Sequence, residues 1–263
     1  YVTYTKATDT TPAKFQFNDA EKKTGIDLSK TDIAGTTEVK GAKIEIYKVV
    51  AGNTIKVAEW ISGESDEVIS LSDGEYTMKE TAVDNTKNDK SYKIVESTIK
   101  FTVKNGKVDK DSVEGTGDDA ASGGKVTFTA GDDKNNDKFQ FNDAEKTTDI
   151  ELAKTDIAGT TEVKGAKITI SDSTGVLYTW VSDESTTNKF TLGDGTYTLE
   201  ETEVDNDKND KSYKIVPSKI TFTVSDGTVT VDETQTGLVV DEDNGYVTYT
   251  KATDTTPAKF QFN

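Results

Sequence analysis

Each half of this sequence contains short runs in which apolar residues alternate with polar ones and which end in a lysine. In the segment GIDLSKTD the alternating set is Ile26, Leu28 and Lys30, and the segment DIELAKTD ends its set in Lys154. Side chains two positions apart lie on the same face of a strand. Both lysines are therefore predicted to follow their apolar neighbours into a core.

Acidic residues end three further alternating runs. The segment EYTMKET places Tyr76, Met78 and Glu80 on one face, and TYTLEET ends in the same way in Glu201. In KFQFND two phenylalanines alternate up to Asp143. These carboxyl groups are predicted to point into the core, as the lysines do.

Lysine and glutamate side chains are seldom buried, because an unpaired buried charge costs several kcal/mol. One explanation is an ion pair, or a strand end at which the polar group has already reached water. The other explanation is covalent chemistry, since burial lowers the pKa of a lysine amine and raises that of a glutamate. A neutral amine held against an Asp or Asn carbonyl can attack it while a Glu relays protons, which yields an amide between two strands.

The composition excludes most other chemistry. The 263 residues include no histidine, cysteine or arginine, which leaves no Ser-His-Asp triad, thiolate nucleophile, disulfide or usual zinc site. A net charge of −17, with lysine as the sole basic residue, argues against a nucleic-acid surface. Apolar runs of only a few residues predict no membrane insertion. An amide between side chains needs no cofactor or metal, so we expect none, and we do not expect a conventional enzyme.

Alternating strands must position these side chains. KVTFTA at 125–130, GTYTLEE at 195–201, KITFTV at 219–224 and YVTYTK at 246–251 all alternate polar and apolar residues, as half-buried strands do. Turn clusters such as SDG and LGDG separate the runs, and no stretch has a sustained helical period. The sequence predicts an all-β protein built of sandwiches with small cores.

Internal repeats define the predicted organisation. The segment KTDIAGTTEVKGAKI occurs at 30–44 and again at 154–168, and residues 1–18 are identical to residues 246–263. An identity of that length cannot arise by chance. It predicts that the chain is a segment of a longer tandem array.

The repeats divide the chain into three predicted parts. Residues 1–18 are the C-terminal hairpin of a preceding repeat, residues 19–142 form repeat one, and residues 143–263 form repeat two.

In this order, the segments SKTDIAGTTEVKGAKI, GEYTMKET and KFQFND resemble the Cna protein B-type (CnaB, SpaA-like) domain of Gram-positive surface adhesins and pilins. In that family a strand ending in K-x-D is followed by a G-A-x-(I/F) strand, a G-x-Y-x-(L/F)-x-E strand and a last strand ending in Asn or Asp. The resemblance covers both repeats almost entirely. It implies tandem immunoglobulin-like or prealbumin-like antiparallel β-sandwiches that form spontaneous Lys–Asn or Lys–Asp isopeptide bonds with a catalytic Glu.

The resemblance assigns roles by position. It makes Lys30 the amine, Glu80 the proton relay and Asp143 the acceptor in repeat one. In repeat two, Lys154 and Glu201 match the amine and the relay.

Two neighbouring residues are candidates for the acceptor. Asn142 precedes Asp143, and the family often uses Asn, whereas strand parity favours Asp143 because it shares a face with the two phenylalanines. If Asp143 accepts, the acceptor of repeat two lies just beyond Asn263, and Asp19 belongs to a preceding repeat. If Asn142 accepts, Asn263 is the acceptor of repeat two and Asn18 is its upstream copy.

The resemblance implies a structural stalk module of a secreted surface adhesin or pilus-like fibre that is anchored to a Gram-positive cell wall. Isopeptide bonds would then lock the first strand of a repeat to the last against pulling, proteolysis and heat. The expected partners are neighbouring repeats of the same protein, and the identical ends suggest self-assembly through terminal hairpins.

A second hypothesis is a ligand-binding adhesin domain, in which Trp60 or Trp180 forms part of a site for host glycan or matrix protein. A core or rim position is the more ordinary one for both tryptophans. The acidic segments 84–89 and 205–210 are read as polar turns rather than calcium loops. A Thr–Gln ester crosslink involving Gln140 also remains open.

Overall fold

The chain divides into two compact units. The computed structural model describes residues 1–63, 67–183, 185, 187–240 and 246–263. Unit 1 contains residues 1–87 and 93–144, and unit 2 contains residues 88–92 and 145–263. The boundaries 1–18, 19–142 and 143–263 were taken from the repeats in the sequence, and they stay a prediction.

Unit 1 consists of a separate hairpin and two five-stranded sheets. Its strands are β1 (Val2–Thr5), β2 (Lys14–Phe17), β3 (Lys23–Asp32), β4 (Ala42–Val50), β5 (Asn53–Ile61), β6 (Val68–Ser72), β7 (Gly74–Val83), β8 (Ile99–Lys104), β9 (Lys107–Glu114), β10 (Gly117–Asp119), β11 (Gly124–Thr129) and β12 (Asp137–Asp143). Strands β1 and β2 pair only with each other among the described strands. The two sheets have the orders β10-β11-β12-β3-β6 and β5-β4-β7-β8-β9.

The core of unit 1 lies between its two sheets because each strand buries alternate residues. On β3 the buried set is Ile26, Leu28 and Lys30, and on β7 it includes Met78 and Glu80. The apolar members pack into one cluster with residues of β4, β8 and β12. The inward faces predicted from the alternating runs are confirmed.

Unit 2 repeats the two five-stranded sheets. Its strands are β13 (Thr148–Lys154), β14 (Ala166–Asp172), β15 (Gly175–Val181), β16 (Lys189–Leu192), β17 (Gly195–Val204), β18 (Ile220–Ser225), β19 (Thr228–Val231), β20 (Leu238–Val240), β21 (Val247–Thr250) and β22 (Ala258–Phe262). The sheet orders are β16-β13-β22-β21-β20 and β15-β14-β17-β18-β19. A second cluster of buried residues fills the space between them.

The predicted all-β, prealbumin-like class in two tandem copies is confirmed. Among the described residues the only helices are two single-turn 3-10 helices, Asn85–Lys87 and Asn206–Lys208. Within the same ranges, no helix is long and apolar enough to cross a membrane.

Most strand pairs are antiparallel, but the pair that carries the candidate site is parallel in both units. Strand β12 pairs in parallel with β3, and β22 pairs in parallel with β13. A parallel pair needs a long crossover, and here nearly the whole repeat forms that crossover. The first and last strands of each repeat are thereby neighbours although they are far apart in sequence.

Candidate functional site

Strand β3 carries Lys30 at the end of its buried row. The side chain of Lys30 is fully buried, and the opposite residue on β12 is Phe141. The Lys30 amine lies 5.8 Å from the centroid of the Phe141 ring. Apolar neighbours therefore surround the stem of the lysine, and its amine reaches the carboxyl groups at the end of the core.

Strand β7 carries Glu80 on the same buried face as Tyr76 and Met78, and a β-bulge follows directly after it. Lys43 of β4 lies opposite Ala82, whereas the next residue of β4, Ile44, lies opposite Glu80, so Thr81 is an extra residue on β7. A bulge increases the local twist and redirects the neighbouring side chains. The Thr81 hydroxyl donates to the Lys43 carbonyl oxygen at 3.3 Å, which holds the extra residue in place.

The same bulge occurs in unit 2. Lys167 lies opposite Glu203 and Ile168 lies opposite Glu201, and the Thr202 hydroxyl donates to the Lys167 carbonyl oxygen at 3.3 Å. No pattern in the sequence marks this bulge, because it depends on how two strands pair. Parity alone did not predict it.

Three buried ionisable side chains meet in unit 1. Lys30 Nζ lies 2.7 Å from Glu80 Oε2, and the same amine contacts Asp143 Oδ1. All three side chains are fully buried. The backbone N–H of Val95 also donates to Glu80 Oε2, at 2.9 Å, so this glutamate oxygen is fixed from two sides. Sequence reasoning missed the contribution of Val95, because a backbone donor leaves no mark in the sequence.

Two carboxyl oxygens of this trio have no partner in the described part of the chain, and burial acts on the Asp143 carboxyl. Glu80 Oε1 and Asp143 Oδ2 are buried and have no hydrogen-bond partner among the described residues. Burial raises the pKa of the Asp143 carboxyl to about 8, with the Lys30 amine opposing the shift and Glu80 adding to it. Two carboxylates and one ammonium would leave a net negative charge in the core, which is costly. A protonated Asp143 removes that charge.

Asn142 is buried but points away from the amine. Its amide nitrogen donates to the Thr31 hydroxyl at 2.7 Å and to the Asp32 carbonyl oxygen at 3.2 Å. The Gln140 amide also donates to the Thr31 hydroxyl, at 3.3 Å. The residue in contact with Lys30 is therefore Asp143, and Asn142 links β12 to the end of β3.

Unit 2 contains the amine and the relay of the same arrangement. Lys154 Nζ lies 3.5 Å from Glu201 Oε2, with both side chains almost completely buried. The Val216 N–H donates to the same glutamate oxygen at 2.8 Å, and Glu201 Oε1 has no described partner. Among the residues that the structure describes, no second carboxylate lies within ion-pair distance of Lys154.

The pKa shifts of Lys154 and Glu201 in unit 2 both favour the uncharged form of the side chain. Burial lowers the pKa of the Lys154 amine, and the charge of Glu201 opposes this shift. Burial raises the pKa of the Glu201 carboxyl, against the Lys154 charge and the Val216 N–H. An amine with a lowered pKa and an acid with a raised pKa are a nucleophile and a proton donor near neutral pH.

The remaining acceptor candidates lie elsewhere. Asn263 exchanges hydrogen bonds with Thr155, Thr248 and Gln261, so it sits where Asn142 sits in unit 1. Asn18 is bound within its own hairpin, and Asp19 is exposed. The structure brings neither residue of this second pair to a lysine amine.

The two tryptophans of the second hypothesis are buried and are not on the described surface. Trp60 and Trp180 are 2% and 6% exposed and belong to the two cores. Asp205 accepts a hydrogen bond from the Asp207 N–H and caps a 3-10 turn, as expected of a polar turn. No group of three acidic residues among the described positions is placed to hold a metal ion.

The comparisons with known proteins agree with this fold. The sequence matches the family described as SpaA, prealbumin-like fold domain, over residues 24–116 and again over residues 148–237. No curated protein sequence matches the chain. Among solved structures, the Bacillus anthracis TIE protein is 25% identical with a TM-score of 0.51, over 78% of this chain. The chain spans 32% of the length of that protein.

A second solved structure extends the likeness in fold to almost the whole chain. The C-terminal fragment of the pilus adhesin SpaC from Lactobacillus rhamnosus GG is 21% identical with a TM-score of 0.53. The match covers 92% of this chain and 96% of that fragment. Since the family match takes in most of both repeats, the chain belongs to the SpaA-type prealbumin-like domain family.

Proposed function

We propose that this chain is a structural module of a Gram-positive surface adhesin or pilus-like fibre, in which unit 1 stabilises itself with an amide bond between Lys30 and Asp143. The single observation that carries the proposal is the contact of one buried amine with two buried carboxyl groups, Glu80 and Asp143. An ion pair alone needs one carboxylate. The second carboxyl group has a use if it is the one that reacts.

The proposed reaction is a condensation that needs no cofactor. The Lys30 amine attacks Cγ of the protonated Asp143 carboxyl, and a new N–C bond forms as the C–O bond to the hydroxyl group breaks. Glu80 accepts a proton from the attacking nitrogen and returns it to the leaving hydroxyl group, so one water molecule departs. The pKa of about 8 for Asp143 supports the protonated acceptor at neutral pH, since a carboxylate resists attack by an amine.

The position of the proposed bond suits a module that bears load. The bond joins β3 to β12, the parallel pair formed by the first and last strands of the repeat. Lys30 and Asp143 are 113 residues apart, and a crosslink around a loop of that length is worth about 4–5 kcal/mol on the chain-entropy estimate. Strands that are joined covalently cannot slide apart when the ends of the fibre are pulled.

The location and the partners proposed for the module follow from its family. Secretion, anchoring to the cell wall and assembly with neighbouring repeats are part of this proposal, and the family match supports them. The rival proposal, an adhesin domain that binds host glycan or matrix protein, rested on the two tryptophans. Their burial removes its support.

Single-molecule extension tests the load-bearing function. In the chain held by its two ends, the residues between Lys30 and Asp143 should not extend, so only unit 2 unfolds. Glu80→Gln should add a second unfolding step of about 400 Å, at roughly 3.5 Å per residue. Glu75→Gln, an exposed position on the same strand, is the matched control and should behave as the unmodified chain. Two full unfolding steps in the unmodified chain would overturn the proposal.

A further inference from the structure

The hairpin that joins β8 to β9 turns on the dipeptide Asn105-Gly106. Lys104 pairs with Lys107, so the two residues between them form the whole loop. Both have positive φ, 56° for Asn105 and 72° for Gly106. Asn-Gly favours such a tight turn, because asparagine tolerates the left-handed conformation and glycine adopts it without steric cost.

The same dipeptide is open to a reaction of the main chain with the side chain. The nitrogen of the glycine can attack the carbonyl carbon of the asparagine side chain, and the missing Cβ of glycine leaves that approach unobstructed. Asn105 is exposed, so water reaches the turn. The turn therefore contains the nucleophile, the electrophile and the solvent that deamidation needs.

One carboxylate holds both N–H groups of this turn. Asp73, between β6 and β7, accepts from the Asn105 N–H at 2.8 Å and from the Gly106 N–H at 3.0 Å. These two bonds hold the pKa of Asp73 below its ordinary value, so the group is ionised at neutral pH. The nitrogen that would attack must give up its bond to Asp73 and lose its proton beside a negative charge, and both steps oppose the reaction.

Unit 2 has an aspartate at the corresponding position. Its hairpin between β18 and β19 turns on Asp226-Gly227, with φ of 52° and 75°. Asp194 accepts from the Asp226 N–H at 2.9 Å, as its counterpart does in unit 1. The Asp226 carboxylate lies 2.5 Å from Lys146 Nζ. The fold thus accepts the residue that deamidation would produce, and a lysine pairs with it.

Unit 1 has a lysine for the same ion pair. Lys22 and Lys146 are the last residues of the two identical DAEK segments. The stem of Lys22 lies over the turn, with its Cδ 3.0 Å from the point at which a Cβ on Gly106 would stand. Its charge also helps to lower the pKa of Asp73. The amine of Lys22 is therefore close to a turn whose asparagine has no charge to pair with it.

We propose that Asn105 is a site of deamidation, that Asp73 slows the reaction in the folded chain, and that the aspartate product pairs with Lys22. The Gly106 nitrogen loses its proton and forms a bond to Cγ of Asn105, while the C–N bond of the side-chain amide breaks and ammonia leaves. One water molecule then opens the cyclic imide at either carbonyl. One opening gives aspartate, and the other gives isoaspartate.

The two products differ in their effect on the hairpin. Aspartate keeps the length of the main chain, so the turn persists and gains the ion pair found in unit 2. Isoaspartate adds one carbon atom to the main chain, so a two-residue turn can no longer keep Lys104 opposite Lys107. The hairpin should open at this end.

Incubation of the chain in warm, mildly alkaline buffer tests the role of Asp73. Cleavage after glutamate releases residues 97–114, in which Asn105 is the sole amide side chain and deamidation adds the mass of water minus that of ammonia. A second Asn-Gly, at 244–245, falls in another peptide. Asn105 should react more slowly in the folded chain than in denaturant. Asp73→Ala should speed the reaction of the folded chain about tenfold, the factor that corresponds to one hydrogen bond to a charged group.

Asp111→Ala is the matched control, because Asp111 is an exposed aspartate of the same hairpin. It should leave the rate at Asn105 unchanged. In denaturant all three chains should react at one rate, since the contact with Asp73 exists only in the fold. Equal rates in the folded chains with and without Asp73 would overturn the role of Asp73. No reaction at Asn105 in either folded chain would overturn the site itself.

Asn105→Asp tests the pairing of the product. The charge of Lys22 should lower the pKa of the new carboxyl group, so adding Lys22→Met should raise that pKa by about half a unit, as expected for one exposed ion pair. NMR titration of labelled carboxyl carbons measures the difference. Adding Lys23→Met instead, at the exposed neighbouring position, should leave the titration unchanged. A titration that is the same with and without Lys22 would overturn the ion pair.

Discussion

The Lys30 amine lies 2.7 Å from Glu80 Oε2, and both side chains are completely buried in the core of unit 1. Asp143 contacts the same amine, which gives the site one base and two acids. A buried ion pair is seldom a net source of stability, because the desolvation of two charges offsets their attraction. An amide between Lys30 and Asp143 replaces the amine and one carboxyl group of this core with an uncharged group and leaves Glu80 held by the Val95 N–H.

Replacement of the proton relay should prevent the crosslink without preventing unit 1 from folding. Glu80→Gln keeps the size of the side chain and removes the group that accepts the proton from Lys30. We expect unit 1 to fold without the crosslink and its free energy of unfolding to fall by about 4–5 kcal/mol, the value of the closed loop. Denaturant unfolding of variants that have first been checked by mass measures this loss.

Glu75→Gln provides the control on the same strand, since Glu75 points to solvent. Its free energy of unfolding should stay within about 0.5 kcal/mol of the unmodified value. An equal loss in the Glu75 and Glu80 variants would contradict the proposed relay.

Two adjacent substitutions decide which residue is the acceptor. Asp143→Ala should abolish the crosslink, because no carboxyl group then faces the Lys30 amine. Asn142→Ala should leave the crosslink intact and cost about 1–2 kcal/mol, since it removes the hydrogen bonds to Thr31 and the Asp32 carbonyl. Mass spectrometry of the two purified variants checks both outcomes, and retention of the crosslink in Asp143→Ala would argue for Asn142.

The inward faces of the strands could be predicted from the sequence because a strand alternates its side chains with a fixed period. The period placed Lys30 and Glu80 in the core, and at the end of β12 it favoured Asp143 over Asn142. Asn142 is nevertheless as buried as its neighbour, since the strand ends against the loop after Asp32 and both faces are covered there.

Other parts of the site left no such periodic signal. The bulge at Thr81 arises from the pairing of β7 with β4, and the register of a strand pair cannot be predicted from the sequence of one strand alone. The N–H of Val95 belongs to a segment outside the strands, so its approach to Glu80 follows from the tertiary fold.

The rate of crosslinking in unit 1 should fall at alkaline pH. The pKa of Asp143 is raised to about 8, so the reactive acid is present below that value and is converted to the unreactive carboxylate above it. We expect the rate to fall by up to about tenfold for each pH unit above 8. Chain isolated unfolded and refolded at a series of pH values, then quenched in acid, gives the rate by mass spectrometry. A rate that keeps rising well above pH 8 would show that deprotonation of the lysine alone controls the reaction.

Loss of Glu201 should make the stability of unit 2 depend on pH. Glu201→Gln leaves Lys154 buried without its carboxylate, which costs about 3–5 kcal/mol near neutral pH. Burial already lowers the pKa of Lys154 in the folded state, so the unfolded chain binds more protons than the folded chain between that pKa and the ordinary lysine value. The free energy of unfolding should therefore rise with pH through this window and level off near the ordinary value.

Denaturant unfolding of the Glu201→Gln chain at a series of pH values tests this expectation. The double variant Lys154→Met with Glu201→Gln is the control, because it has no amine to titrate at this position and should show no such rise. A Glu201→Gln chain with the pH profile of the double variant would mean that Lys154 reaches water.

The mass of the intact, denatured chain tests the central claim most directly. A bond between Lys30 and Asp143 predicts a monomer lighter than the sum of its residues by one water molecule, with the full mass restored in Glu80→Gln. A loss of ammonia instead of water would assign the bond to an amide side chain, Asn142 or Gln140, in place of Asp143. A monomer of the unmodified chain at the full mass of its sequence would contradict the account.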